Sequence, residues 1–75
     1  MNWGPQNMVR VVPLPVQSGL KFDLILPDGY IITITMDEYE VRQYRGSIAD
    51  VIYAKVVDWM ESNDYTTTGL SVIYC

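Results

Sequence analysis

Apolar and polar residues alternate with a period of two in the first half of the chain and of about 3.6 in the second. Val9 to Val16 (VRVVPLPV) is apolar enough for a strand, but Pro13 and Pro15 each lack a ladder donor, which predicts a place at a sheet edge. Gln17-Ser18-Gly19 reads as a turn. In Lys21 to Leu26, Phe22, Leu24 and Leu26 share one face, while Lys21, Asp23 and Ile25 share the other. Pro27-Asp28-Gly29 suits a type I turn with Gly29 at positive φ. Tyr30 to Thr35 resumes the alternation, with Tyr30, Ile32 and Ile34 facing one way and Ile31, Thr33 and Thr35 the other. This hairpin is the clearest in the sequence. Met1 to Met8, with Gly4-Pro5 and no periodicity, is expected to be a loose arm.

Two helix starts follow. Thr35 with Glu38 fits a capping box that opens a short helix through Asp37, Glu38, Tyr39, Glu40, Val41 and Tyr44, and Gly46 stops it. Ser47 with Asp50 repeats the box and opens a longer helix, Ile48 to Ser62. On a helical wheel its apolar arc runs through Ile48, Trp59, Ile52, Val56, Ala49, Met60, Tyr53 and Val57, opposite Asp50, Asp58, Lys55 and Glu61, with Val51 as an apolar exception on the polar side. The arc covers about half the circumference, wider than the roughly 100° stripe needed against one sheet. Tyr65 to Cys75 is rich in Thr, Tyr, Val and Ile and predicts a last strand. The expected fold is α+β in the order β-β-β-α-α-β, an antiparallel sheet with one main helix packed on it and a short preceding helix.

Composition narrows the function. At 75 residues, 49% hydrophobic and 19% charged, the chain is one globular domain. Such a domain buries only about 60% of its unfolded surface, so its own core is thin. Small domains add disulfides, a metal or a second copy of themselves. One cysteine, Cys75, excludes an intrachain disulfide, and the absence of histidine removes the usual zinc sites and the histidine-dependent catalytic constellations. The five glycines stand singly, so no phosphate-cradling loop is present. A binding protein is therefore expected rather than an enzyme, with no cofactor. Nine acids against five bases give a net charge of −4, which disfavours direct contact with nucleic acid and favours basic protein surfaces. No stretch has the length of a membrane span, and Met1 to Arg10 lacks the pattern of a signal peptide. A cytoplasmic location is expected, where a lone thiol stays reduced.

The strongest candidate site is the acid-aromatic run Asp37-Glu38-Tyr39-Glu40. Carboxylates spaced along a rigid helix imitate a row of phosphates, to which a DNA-binding protein offers Arg, Lys and backbone amides. The plainer reading is that acids near a helix N-terminus complement its dipole. Among the six tyrosines, Tyr39, Tyr44 and Tyr53 gather around the two helices. Tyrosine is common both in interfaces and at core edges. Trp59 belongs most simply to the core, whereas Trp3 has no evident packing partner. The wide arc of the long helix fits a dimer seam, with Val51, Tyr53 and Val57 as interface candidates, or a helix sunk deeper into its own protomer.

Thr33-Ile34-Thr35-Met36-Asp37-Glu38-Tyr39-Glu40-Val41, then Tyr44, Gly46-Ser47, Ala49-Asp50 and Ile52, resembles the small dimeric uracil-DNA glycosylase inhibitors of short-tailed phages of Gram-positive bacteria. In that pattern a strand leads into an acid-aromatic-acid-Val helical turn, followed by a tyrosine, a glycine, a cap and Ala-Asp. The resemblance covers about Tyr30 to Trp59 and needs a one-residue insertion around Gln43, while Asn63 to Cys75 has no counterpart. It implies a homodimer that occupies the DNA-binding face of a host uracil-DNA glycosylase in the host cytoplasm. Acids would mimic phosphates, and an aromatic-lined apolar cleft would capture the side chain that the enzyme wedges into DNA. By position Tyr39 takes the place of the family's aromatic contact, Glu40 that of the flanking acid and Tyr44 that of the second aromatic, with Glu38 and Asp37 as further charge contacts. A different host-takeover inhibitor, such as an anti-CRISPR or anti-restriction protein, would use the same acidic face and bind several DNA enzymes. A structural or regulatory subunit would instead form a salt-insensitive complex through Ile31, Val51 or Val57.

Overall fold

The structure, a computed structural model, describes residues 7–75. Of the expected loose arm, residues 1–6 fall outside that range, and so does Trp3. Asn7 and Met8 are part of the fold instead. Met8–Pro13 forms β1, Leu20–Ile25 β2, Ile31–Met36 β3, Glu38–Arg42 α1, Ile48–Ser62 α2 and Ser71–Tyr74 β4. The α+β class and the element order are as expected.

The β2–β3 hairpin follows the sequence alternation. Phe22, Leu24, Leu26 and Ile34 point into the core, and Ile32 is half-buried on the same side. The Leu26 carbonyl accepts from the Gly29 N–H at 2.9 Å, with Gly29 at φ 93°, as the turn chemistry requires. Tyr30, grouped by the alternation with Ile32 and Ile34, lies at the turn and is exposed.

Two expectations about the sheet are corrected. The strand order is β3-β2-β1-β4, so β1 is internal, not an edge. The sheet is also mixed, because β4 runs parallel to β1 with Met8 opposite Ser71 and Val11 opposite Tyr74. Helix length explains the direction. Fifteen residues of α2 span about 22 Å, which returns the chain along the length of the sheet, so β4 starts at the same end as β1 and β3. Pro13 is accommodated because it stands where the parallel ladder stops. Leu14 N–H donates to Lys21, so odd residues of β1 face β4, and Cys75 N–H donates to the Val11 carbonyl at 2.9 Å. The next donor in that ladder would be residue 13, which as proline has none. The buried Asn7 secures the near end: its amide donates to the Thr66 and Thr68 carbonyls, and its own carbonyl accepts from Ser71 N–H at 2.9 Å.

Helix α2 covers one face of the sheet. Val51, Ile52, Val56 and Met60 enter the core against Val9, Val11, Phe22, Leu24 and Met36. The predicted wheel is therefore rotated. Val51 is core (3% exposed), whereas Ala49 and Tyr53, placed on the apolar arc, stay at the surface and Val57 is half-buried. Trp59 packs against the core beside Tyr65, with ring centroids 5.8 Å apart. The long helix begins as expected: Asp50 N–H donates to Ser47 Oγ at 3.3 Å, and Ser47 N–H to Asp50 Oδ2 at 3.0 Å. Gly46 makes room for this box, since its φ of 105° suits glycine and a Cβ there would stand 2.5 Å from Asp50 Oδ2. The short helix is capped by Asp37, whose Oδ1 accepts from Glu40 N–H at 2.7 Å. Thr35, the expected cap, is still in β3.

Candidate functional site

Helix α1 lies where β3 ends and buries none of its residues. Asp37, spent on capping, is exposed, as is Glu38, which faces Arg42 at 3.8 Å. Both partners of that pair are well solvated, so the contact holds little energy. Tyr39 is 75% exposed, among the most solvated aromatic rings of the described residues. The remaining two candidates point inward. Glu40 pairs with Lys55 on α2, and both side chains are partly buried. Tyr44 packs against the core and donates its hydroxyl hydrogen to Asp58 Oδ2 at 3.0 Å. The five sequence candidates thus separate into an outer set, Asp37, Glu38 and Tyr39, and an inner set, Glu40 and Tyr44.

The inner contacts perturb titration. The hydrogen bond to Glu40 stabilises the Lys55 ammonium and raises its pKa above the ordinary 10.5. Burial first, and then the hydrogen bond to Asp58, raises the Tyr44 phenol above 10.0. Lys55 and Asp58 were not singled out from sequence, although their spacing carries a signal. Glu40 and Tyr44 are four apart, and Lys55 and Asp58 three apart, so each pair occupies one side of its segment and the two pairs are complementary.

Beside α1 is an open cleft of about 220 Å³ lined by Gly19, Leu20, Glu38, Val41, Arg42 and Ile48. Its apolar surfaces come from Leu20, Val41 and Ile48, and Glu38 with Arg42 contributes charge. The volume is below the roughly 300–1,000 Å³ of a small-molecule pocket. Tyr39 and Tyr44 are not among the lining residues. Gly19 lets the β1–β2 loop close against the β3–α1 junction: a Cβ on it would meet the Met36 carbonyl oxygen at 2.1 Å.

Charge is unevenly spread. Seven of the nine acids and three of the five bases lie between Asp37 and Asp64, so this helical segment holds the entire net charge of −4. Among the described residues no cluster of His, Cys, Asp or Glu could hold a metal ion, and no helix is long and apolar enough to cross a membrane.

The dimer candidates divide as well. Val51 is enclosed within its own protomer, whereas Tyr53 is 44% exposed and Val57 half-buried. They share a side of α2 with Ala49, whose carbonyl accepts from the Tyr74 hydroxyl of β4 at 3.0 Å. Strand β4 is an edge: Ser71 and Cys75 N–H groups bond to β1, which turns the backbone polar groups of Val72 and Tyr74 outward. No protein-family model matches the chain, and no curated protein or solved structure is significantly similar to it.

Proposed function

We propose that the chain is a phage-type inhibitor of host uracil-DNA glycosylase that acts as a DNA mimic, without catalysis, cofactor or nucleic acid of its own. The observation that carries this reading is the exposed acid-aromatic run on α1, at the start of the segment holding the whole net negative charge and beside a cleft sized for one side chain. Asp37 and Glu38 stand in for phosphates against a basic groove, Tyr39 supplies the aromatic contact, and Leu20, Val41 and Ile48 receive an apolar side chain of the enzyme. Relative to the resemblance, the cleft is aliphatic instead of aromatic-lined. The active unit is a homodimer, supported by the open β4 edge and the Tyr53, Val57 and Tyr74 surface next to it.

The test is a glycosylase assay on uracil-containing DNA, with sedimentation of the same sample. Wild-type protein should inhibit as a dimer. Tyr39→Ala should weaken inhibition roughly thirty-fold, since truncating an aromatic anchor costs about 2 kcal/mol. Excess wild-type protein with no effect on bacterial uracil-DNA glycosylases defeats the reading, and a monomer at the inhibitory concentration defeats the dimer. A second reading, a subunit of a larger assembly, draws on the open sheet face. There Ile31, Ile25, Arg10 and Ile73 form a row across all four strands, with Ile31 62% and Ile73 39% exposed. Absence of inhibition together with a salt-insensitive complex that Ile31→Lys abolishes would favour it.

A further inference from the structure

We infer that Lys55 and Asp58 of α2 are positioning residues that latch α1 in place, and that Glu40 and Tyr44 serve this latch from the other side. For its consequence in partner binding, this rests on the function proposed above. Five residues are far too few for a helix to persist alone, which takes about 12–15 even in favourable sequences. Helix α1 also has no fully buried side chain to anchor it, and Val41 is only half-buried. Among the described residues, the side-chain contacts that join it to α2 and the core are the Glu40–Lys55 ion pair, the Tyr44–Asp58 hydrogen bond and the edge of the core at Val41 and Tyr44.

The two contacts are of different kinds and three residues apart on α2, so together they restrain both the distance and the rotation of α1. A single contact would leave it free to pivot. With both closed, Tyr39 and Glu38 are directed to solvent and Val41 is held against the cleft. The latch therefore fixes a binding surface by residues that lie outside it. Loosening it should raise the ordering cost of binding, which appears as weaker affinity with every contact residue still present.

Amide hydrogen exchange of the full chain tests the latch with no partner present. Lys55→Glu should speed exchange over residues 38–44 about fivefold, the order of effect of a partly exposed ion pair, and leave β2 and β3 at wild-type rates. Adding Glu40→Lys to Lys55→Glu should restore protection, because the reversed charges pair again. Lys55→Met, which retains packing of the stem, is the second variant if Lys55→Glu melts early, and Asp58→Ala should loosen the same residues. Unchanged exchange in these variants, equal acceleration in the sheet, or no recovery in the charge-reversed pair would overturn the inference. The glycosylase assay is the separate arm: Asp58→Ala should inhibit less well than wild type, whereas failure of wild type itself counts against the proposed function alone.

Discussion

Helix α1 has five residues and no buried side chain, while α2 has fifteen and sends four side chains into the core. The two are fixed by different physics. Each of Val51, Ile52, Val56 and Met60 gains roughly 1.5–3 kcal/mol from burial, a force without direction that tolerates small shifts. Apart from the half-buried edge at Val41 and Tyr44, the contacts of α1 are polar, directional and worth about 1 kcal/mol each, so they set an orientation more than they add stability. A helix held that way keeps most of its surface for another molecule. The buried helix and the exposed one thus stand next to one another, with a glycine, Gly46, between them.

The sharpest way to break this comparison is to exchange the expected sensitivities. Met60→Ala removes a fully buried side chain of α2 and should cost about 3 kcal/mol, lowering the melting temperature by more than about 10 °C. Tyr39→Ala on α1 should shift the melt by only about 2 °C, as exposed substitutions do. Comparable melts for the two would mean that α1 is part of the scaffold. The caps give a finer test. Ser47→Ala should cost about 1 kcal/mol in urea unfolding, because α2 cannot fray without exposing core. Asp37→Ala should cost less than half of that, since only α1 depends on it.

The smallest expected effect is alkaline. Tyr44 and Lys55 both have folded pKa values above their unfolded ones, 10.0 and 10.5. Their contributions are complete below the unfolded values and are lost as pH rises through the folded values. Tyr65 and Tyr74 shift in the same direction, so a general alkaline decline is expected. Tyr44→Phe should flatten that decline when urea midpoints are measured across the tyrosine range. A profile identical to wild type would show that the latch has no share in it.

Features that depend on near neighbours were legible in the sequence. The β2–β3 alternation, the Pro27-Asp28-Gly29 turn and the Ser47–Asp50 box are local, and local chemistry decides them. The misplaced features depend on distant partners. Pro13 and Pro15 argued for an edge, yet β4 stops short of Pro13 and leaves β1 internal. Val51 looked exceptional because the wheel alone cannot say which side of a wide apolar arc meets the sheet. Thr35 was passed over as a cap because β3 continues one residue beyond it and Asp37 stands one residue before the helix. At the site, Tyr39, Glu38 and Asp37 lie at the surface as a reading of the motif would place them. Glu40 and Tyr44 are engaged within the protein, since an acid and a phenol in sequence do not reveal whether a lysine or a carboxylate faces them. The lining of the cleft, aliphatic where the resemblance implied aromatic, was not foreseen because Leu20, Val41 and Ile48 come from three separate elements.

The pairing of β1 with β4 also has a consequence in time. Val9 and Val11 are synthesised more than sixty residues before Val72 and Tyr74, which border them in the finished sheet. In folding, the pairings of β1 with β2 and of β2 with β3 close over short loops, while the far side of β1 keeps unpaired backbone groups until residues 71–75 dock on it. An apolar strand with an open side is a template for other chains. Non-local pairing of this kind is the slow part of folding, and the interval it leaves open is when a nascent chain is most prone to join its neighbours. Asn7→Ala, which removes the amide bonds to the Thr66 and Thr68 carbonyls, should slow the docking of β4 onto β1 when refolding is followed by stopped flow.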